Sequence, residues 1–481
     1  MSLPDDTSSP LYAAREPIFP RRVKGQFRNL KWVLMAVMLG IYYITPWIRW
    51  DRGPSLPDQA VLLDLANRRF FFFMIEIWPH EFYFVAGLLI MAGLGLFLFT
   101  SALGRVWCGY ACPQTVWTDL FILVERWVEG DRNKRIRLFR QKWDLRKARL
   151  RLTKWVLWLL IGVATGGAWV FYFTDAPTLL RDLFTGNASA VAYITIAVAT
   201  LTTFAFGGFA REQICIYACP WPRIQAAMMD EDTITIGYRE WRGEPRAKLN
   251  KGGVAEGHGD CIDCMACVNV CPMGIDIRDG QQMECITCGL CIDACDEVMD
   301  RIGRPRGLID YLALKDETAE RAGTPPVRVW KHIFRPRTIL YFTLWGSIGV
   351  ALIVALFLRS PIDFNVTPER NPTYVMESDG AIRNIYQIRL RNKSASDVPF
   401  RITVTADDPS VSASLILNLE GVEGNIVDVR ADQTLTQRLY VTAPAKSQTA
   451  LAARTGIRIW IEDTTSADRV SADTIFNGKD S

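Results

Sequence analysis

The sequence predicts a multi-domain membrane protein: an α-helical transmembrane bundle of about five spans, a cysteine-rich α+β insert before the last span, and a C-terminal all-β sandwich. Three observations predict it. Five apolar runs approach the ~20 residues that cross a bilayer. Eight of the twelve cysteines crowd into residues 261–295. Beyond the last apolar run, the pattern changes to period-two alternation. At 481 residues with 49% hydrophobic and 22% charged residues, the chain reads as membrane and soluble parts joined together.

In chain order, residues 1–29 are polar and end in the basic cluster Arg21, Arg22, Lys24 and Arg28, as expected of a cytoplasmic tail. The apolar run 30–48 has no small-residue cleavage site after it and reads as a retained helix, not a signal peptide. Further spans are expected at 82–103, 155–173 and 190–210, all within a 30–240 membrane region, and at 339–358. Thirteen Lys and Arg residues lie from Gly104 to Lys154, whereas only Arg181 lies between Thr174 and Ser189. By the positive-inside bias, the N-terminus and the insert lie in the cytoplasm of a bacterial cell and the C-terminal domain in the periplasm, across the inner membrane. The basic run 130–154 reads as a solvated, topology-setting loop, and residues 62–78 as an interfacial helix. The insert is expected at 241–328, entered through the Gly- and charge-rich stretch 241–259 and left through 315–328 with Pro325 and Pro326.

The last domain, 362–476, alternates at 382–390, 400–405, 412–419, 434–441 and 457–462, the texture of an antiparallel sandwich. It contains no cysteine, so no disulfide braces it. No catalytic constellation is visible in it, and it reads as a docking or structural module.

The insert carries the most specific signal. It reads Cys261-x2-Cys264-x2-Cys267-x3-Cys271-Pro272, then Cys285-x2-Cys288-x2-Cys291-x3-Cys295. Each half is the bacterial ferredoxin run, in which three thiolates hold one 4Fe-4S cube and the fourth reaches to the other cube. Cluster one is therefore assigned Cys261, Cys264, Cys267 and Cys295, and cluster two Cys285, Cys288, Cys291 and Cys271. A zinc site closes with four ligands and has no use for a repeated three-plus-one spacing. Asp296 stands where proline follows the fourth cysteine of the first half, a departure that bears on the turn and not on ligation.

The other four cysteines form an internal repeat, Cys108-Gly-Tyr-Ala-Cys112-Pro113 and Cys215-Ile-Tyr-Ala-Cys219-Pro220, each after a span that ends on the cytoplasmic side. Proline disfavours helix at the residue before it and suits the first turn of a new helix, so Cys112 and Cys219 should lie at helix N-termini. The dipole there favours thiolate, the form that binds soft metals such as Cu(I) or exchanges electrons. Three readings stay open: a copper or other metal site, a redox dithiol, and inert buried thiols.

With these motifs in view, the chain resembles the membrane-bound polyferredoxins. Among them it is similar, from about residue 15 to 476, to the cytochrome c oxidase accessory protein family, CcoG, also called FixG or RdxA/RdxB. The resemblance implies an immunoglobulin-like outer domain and two 4Fe-4S clusters on the eight ferredoxin cysteines. It also implies a cupric reductase that converts Cu(II) to Cu(I) for assembly of a cbb3-type oxidase, with Cys108, Cys112, Cys215 and Cys219 as the catalytic thiols. Copper would be substrate or transient ligand; oxidase subunits or copper-delivery proteins would be partners. Homodimerisation and the electron donor stay open, and no nucleic-acid partner is expected. Rival readings are a quinol dehydrogenase relay feeding a periplasmic reductase and a non-enzymatic copper-binding scaffold. No GxxxxGK phosphate loop and no nicotinamide or flavin fingerprint occurs, so direct nucleotide use is not expected.

Overall fold

A computed structural model describes residues 17–53, 56–248, 257–325, 327, 329–359, 362–393, 396–406, 412, 414–431 and 433–479. Residues 1–16 of the expected tail, 249–256 of the first linker and Pro326 and Arg328 of the second lie outside these. The chain divides into two compact units, 1–48 with 61–352, and 49–60 with 353–481.

Among the described residues, five helices are long and apolar enough to cross a membrane: Gln26–Trp47, Phe82–Leu103, Leu145–Tyr172, Ala190–Ala218 and Pro336–Phe357. The third starts ten residues before the apolar run because its basic first turns are helical too, with Asp144 accepting from the Lys147 N–H at their start. Residues 62–78 are not an interfacial helix. They form a three-stranded antiparallel sheet, β1 Val61–Asp64, β2 Arg69–Phe72 and β3 Ile75–Ile77, because Phe71 alternates inward and is fully buried.

The basic run is solvated only in part: Lys134, Arg137, Arg140, Lys142, Arg146 and Arg149 are exposed, but other cations of the run are buried. Arg135 and Lys154 are each only 2% exposed. Arg135 bonds Glu125, Lys154 lies 2.9 Å from Glu129, and Arg211 reaches Glu125 at 2.6 Å. Charges withdrawn from water must be paired, and these pairs fix the helix Pro113–Val128 to the third and fourth spans. On the same helix, Asp119 is buried against Lys31 (2.9 Å) and Arg28 (3.3 Å) of the first span.

The cysteine-rich insert belongs to the first unit and is fastened to its helices. The Asp293 carboxylate accepts from the N–H groups of Phe27 and Arg28, satisfying otherwise unpaired donors at the start of the first span. Strands β4 Thr235–Tyr238 and β5 Ile309–Leu312 pair antiparallel beside the insert.

In the second unit, two sheets pack face to face. One has the order β10 (Ile416–Leu419), β12 (Thr434–Ala443), β8 (Ile382–Asn392), β6 (Ile362–Pro368), with β7 (Val375–Met376) also on β8; the other runs β11 (Ile426–Val429), β9 (Val398–Ala406), β13 (Arg454–Asp463), β14 (Arg469–Asn477). Alternate residues such as Tyr386, Ile388, Leu390, Ile402, Leu439 and Ile459 fill the core. The Tyr386 hydroxyl donates to the Ile475 carbonyl at 2.8 Å, joining the two sheets.

Candidate iron-sulfur and thiol site

The two halves of the insert share one backbone device. The stretches Ile262-Asp263-Cys264-Met265 and Ile286-Thr287-Cys288-Gly289 each put the residues on both sides of the cysteine at positive φ: Asp263 50°, Met265 55°, Thr287 55° and Gly289 75°. Left-handed residues cost energy and persist where the surroundings demand them. Here they curl each loop into the short helices Ala266–Val270 and Leu290–Arg301, which bring in the third cysteine of each set. The helices then end differently. Cys271 turns extended (ψ 122°) before Pro272, whereas Cys295 and Asp296 continue the second helix, and Asp296 accepts from the Gly307 N–H at 3.0 Å.

The structure brings the eight thiols together in two groups. Cys261, Cys264, Cys267 and Cys295 line one small cavity. Cys271, Cys285, Cys288 and Cys291 line another, which Cys267 also borders. The walls of the second are otherwise apolar, with Ile236, Met273, Ile277 and Leu290 among them. Burial pushes the thiols of Cys271 and Cys295 up to about 12 and those of Cys267 and Cys285 to about 11. Thiolates are thus disfavoured by the protein alone, and a soft cation must supply the stabilisation. An all-sulfur donor set around an apolar cavity fits an iron-sulfur cube.

The CxxxCP copies follow their proline. Cys112 is extended (ψ 129°) and caps the helix Pro113–Val128; Cys219 is extended (ψ 121°) just before Pro220 and the helix Trp221–Met228. Cys215 lies in a π-helical turn, Ile214–Ala218, of the kind frequent at functional sites. The four thiols are brought near one another: Cys215 is within electrostatic reach of Cys108, Cys112 and Cys219. Among the described residues, no three His, Cys, Asp or Glu side chains gather tightly enough to hold a single ion. The Cys108 thiol donates to Gln225 Oε1 at 3.2 Å, and Gln225 in turn donates to Thr100. Burial pushes the Cys108 thiol up to about 11, with the Arg105 charge opposing.

The decisive geometry joins the two cysteine systems. A Cβ added at Gly109 would lie 2.5 Å from the Ile286 carbonyl oxygen and 3.1 Å from the Cys288 Cα, so only glycine lets the first CxxxCP turn rest on the loop of the second cysteine set. Beside it, the Tyr110 hydroxyl donates to the Cys288 carbonyl at 3.1 Å and the Tyr311 hydroxyl to the Thr287 carbonyl at 2.9 Å. Arg105 bonds the Met283 carbonyl. Cys108, Cys215 and Ile216 pack against the apolar cluster containing Cys288, Ile286 and Leu290. Gly109, Gln225 and Arg105 were not singled out from sequence, because each acts through a partner more than a hundred residues away, and Tyr311 was missed because its partner Thr287 lies in a separate loop 24 residues before it. Only Tyr110, inside the shared Cys-x-Tyr-Ala-Cys-Pro, carried a signal.

Comparison with known proteins agrees with this architecture. A family model described as a 4Fe-4S dicluster domain matches residues 210–314, and a 4Fe-4S binding domain matches 84–145. An Ig-like fold at the C-terminus of FixG matches 352–479. The chain is 72% identical to protein RdxB of Cereibacter sphaeroides over 480 residues, covering 100% of both chains. It is 65% identical to RdxA of the same organism, covering 95% of each, and 51% identical to the nitrogen fixation protein FixG of Rhizobium meliloti, covering 97% of this chain and 94% of that one. The chain belongs to the FixG/RdxA/RdxB family. As a member it is a membrane iron-sulfur electron-transfer protein, with its Ig-like fold in the second unit. In the FixG-like chain the first CxxxCP pair falls inside one 4Fe-4S match and the second pair inside the other, so both matches meet at the contact between Gly109 and the Ile286–Cys288 loop.

Proposed function

We propose that this protein is a cupric reductase acting in cbb3-type cytochrome c oxidase assembly, in which electrons held by two 4Fe-4S cubes pass to Cu(II) at the CxxxCP thiols. In this reading Cys261, Cys264, Cys267 and Cys295 hold one cube, and Cys285, Cys288, Cys291 and Cys271 the other. When bound, the cubes supply one-electron storage at low potential. The observation that carries the reading is the seating of Gly109 and Tyr110 on the Ile286–Cys288 loop, which leaves no solvent layer between the second cysteine set and the CxxxCP turn.

Each residue then has a task. Gly109 permits the close approach. Tyr110 and Tyr311 hold the loop carbonyls of Cys288 and Thr287 and so fix the loop's position. Gln225 orients the Cys108 thiol. Sulfur ligands prefer Cu(I) to Cu(II), so the four thiols favour the product of one-electron reduction. Copper is the substrate: Cu(II) gains one electron and leaves as Cu(I). The Lys and Arg bias supports an inner-membrane orientation with the insert in the cytoplasm and the sandwich in the periplasm, available to oxidase subunits or copper-delivery proteins.

The test is replacement of Cys108, Cys112, Cys215 and Cys219 by Ser in the full-length protein. Cupric reduction by the dithionite-reduced protein is expected to fall by about a hundred-fold, the scale on which removal of reacting groups acts, while cube absorbance persists. Undiminished reduction would remove these thiols from the mechanism.

A further inference from the structure

The described residues of the first unit enclose a cavity of about 400 Å³ that the copper reading does not use. Its walls come from the first, third and fourth spans and from the helix Pro113–Val128. The volume is that of a small-molecule site. Three features constrain the occupant.

No Asp, Glu, Lys, Arg or His lines the cavity, and its rim residues Pro113, Thr202 and Trp169 are exposed on the outside of the bundle, Trp169 at 48%. A neutral molecule dissolved in the lipid can enter sideways. The polar side chains of the lining are four hydroxyls and the indoles of Trp117 and Trp169, and each hydroxyl spends its proton on a backbone carbonyl: Tyr42 on Thr165 (2.5 Å), Thr165 on Ile161 (2.7 Å), Thr202 on Val198 (2.9 Å) and Thr203 on Ala199 (2.8 Å). What the hydroxyls offer a ligand is oxygen lone pairs, beside the N–H donors of the two indoles. The matching ligand donates O–H groups, and the indole rings of Trp117 and Trp169 offer flat faces to a ring. Finally, Ala111 and Pro113 both line the cavity and flank Cys112, so an occupant sits next to the backbone of the first CxxxCP turn.

We infer that this cavity binds a membrane hydroquinone, the reduced form of an isoprenoid quinone, as the electron donor of the chain. The inference rests on the electron-transfer reading above and names the source of its electrons. The step balances: both hydroquinone O–H bonds break, two protons pass to water, and two electrons leave, which the cubes held by the eight insert cysteines would store singly, enough to reduce two Cu(II). One hydroquinone thus yields one quinone, two Cu(I) and two protons.

The test titrates the anaerobic, detergent-purified full-length protein with decylubiquinol, following tryptophan fluorescence and cube absorbance separately. Saturable quenching, about ten-fold weaker for oxidised decylubiquinone, is expected, because one lost hydrogen bond of about 1.4 kcal/mol corresponds to ten-fold. Ala199→Leu, which fills the cavity, and Thr203→Val, which removes an acceptor, should each weaken quenching and slow cube bleaching by decylubiquinol about ten-fold, with iron content as the folding control. Equal competition by a phospholipid would show a cavity that takes acyl chains only, and wild-type affinity in both variants would place binding elsewhere; either result overturns the site. The readouts separate the two ideas. Loss of dithionite-driven copper reduction sinks the copper reading and leaves the quenching result standing, whereas absence of quenching sinks the hydroquinone site alone.

Discussion

The two CxxxCP copies share Cys-x-Tyr-Ala-Cys-Pro, yet they are put to different uses. In the first copy the variable residue is Gly109 and Tyr110 is 5% exposed, locked onto the Cys288 carbonyl; in the second it is Ile216 and Tyr217 is 55% exposed. The first turn is a short α-helix, Val106–Tyr110, and the second a π-helical turn. One missing side chain accounts for much of this. Glycine allows backbone to meet backbone, whereas Ile216 packs a side chain against the apolar cluster that contains Ile286 and Cys288. A repeat has thus been divided into a copy that couples to the iron-sulfur insert and a copy that completes the set of four thiols.

The largest expected effect concerns what anchors each copy. The helix after the first copy is held by a buried carboxylate, Asp119, between Lys31 and Arg28; the helix after the second is held by a neutral amide, Gln225. Asp119→Asn leaves two buried cations without their counter-charge and should cost about 3–5 kcal/mol, read as a fall in unfolding temperature in detergent. Gln225→Leu should cost less. Burial raises the Asp119 pKa, but Lys31 and Arg28 outweigh it and hold the carboxyl below the usual range. The sign follows: this contribution is complete above the unfolded carboxylate pKa of about 3.9 and is lost as pH falls through the lower folded value. Acid should therefore destabilise the wild type more steeply than Asp119→Asn.

Next comes Gly109→Ile, which writes the second copy's residue into the first. The new side chain meets the Ile286 carbonyl and the Cys288 backbone, neither of which can rotate away. Overpacking of about 1–3 kcal/mol is expected, relieved by lifting the turn off the loop. Copper reduction by pre-reduced protein should slow by at least about ten-fold, the equivalent of 1.4 kcal/mol, with cube absorbance retained. An unchanged rate would mean that electrons do not cross at Gly109.

What was legible in the sequence and what was not divides along the same line. The thiol groupings around the two cavities and the extended turns at Cys112 and Cys219 followed from spacing and proline, which act over a few residues. The spans were visible as apolar runs, but the helical reach of Leu145–Lys154 was not, because Arg151 and Lys154 interrupt the apolar pattern and are paired by Glu125 and Glu129, remote from that run. For the same reason the buried pairs of Arg135 and Lys154 could not be told from the exposed charges around them. The sheet of residues 61–77 was hidden by four consecutive phenylalanines, which obscure a period of two. In the sandwich, β14 alternates only weakly, with the small Ala472 and the polar Thr474 at inward positions of an edge strand, and was not read as a strand.

The smallest effects form the sharpest pair. Tyr110→Phe removes the donor to the Cys288 carbonyl and leaves the Tyr311 hydroxyl, 3.4 Å away, without its neighbour. A buried carbonyl that loses its donor should cost about 1–2 kcal/mol. Because this hydrogen bond holds the loop that carries Cys288, copper reduction should slow several-fold while Cys108 and Gly109 stay in place. Tyr217→Phe removes the matching hydroxyl from the second copy, where the ring is more than half exposed, and should lie within about 0.5 kcal/mol of wild type. Measured side by side by thermal unfolding and by copper reduction, the two substitutions ask whether the shared tyrosine serves the motif or the contact. Equal effects would mean that the motif itself needs the hydroxyl; an effect confined to Tyr110 would mean that the seating on the Cys288 loop gives the first copy its role.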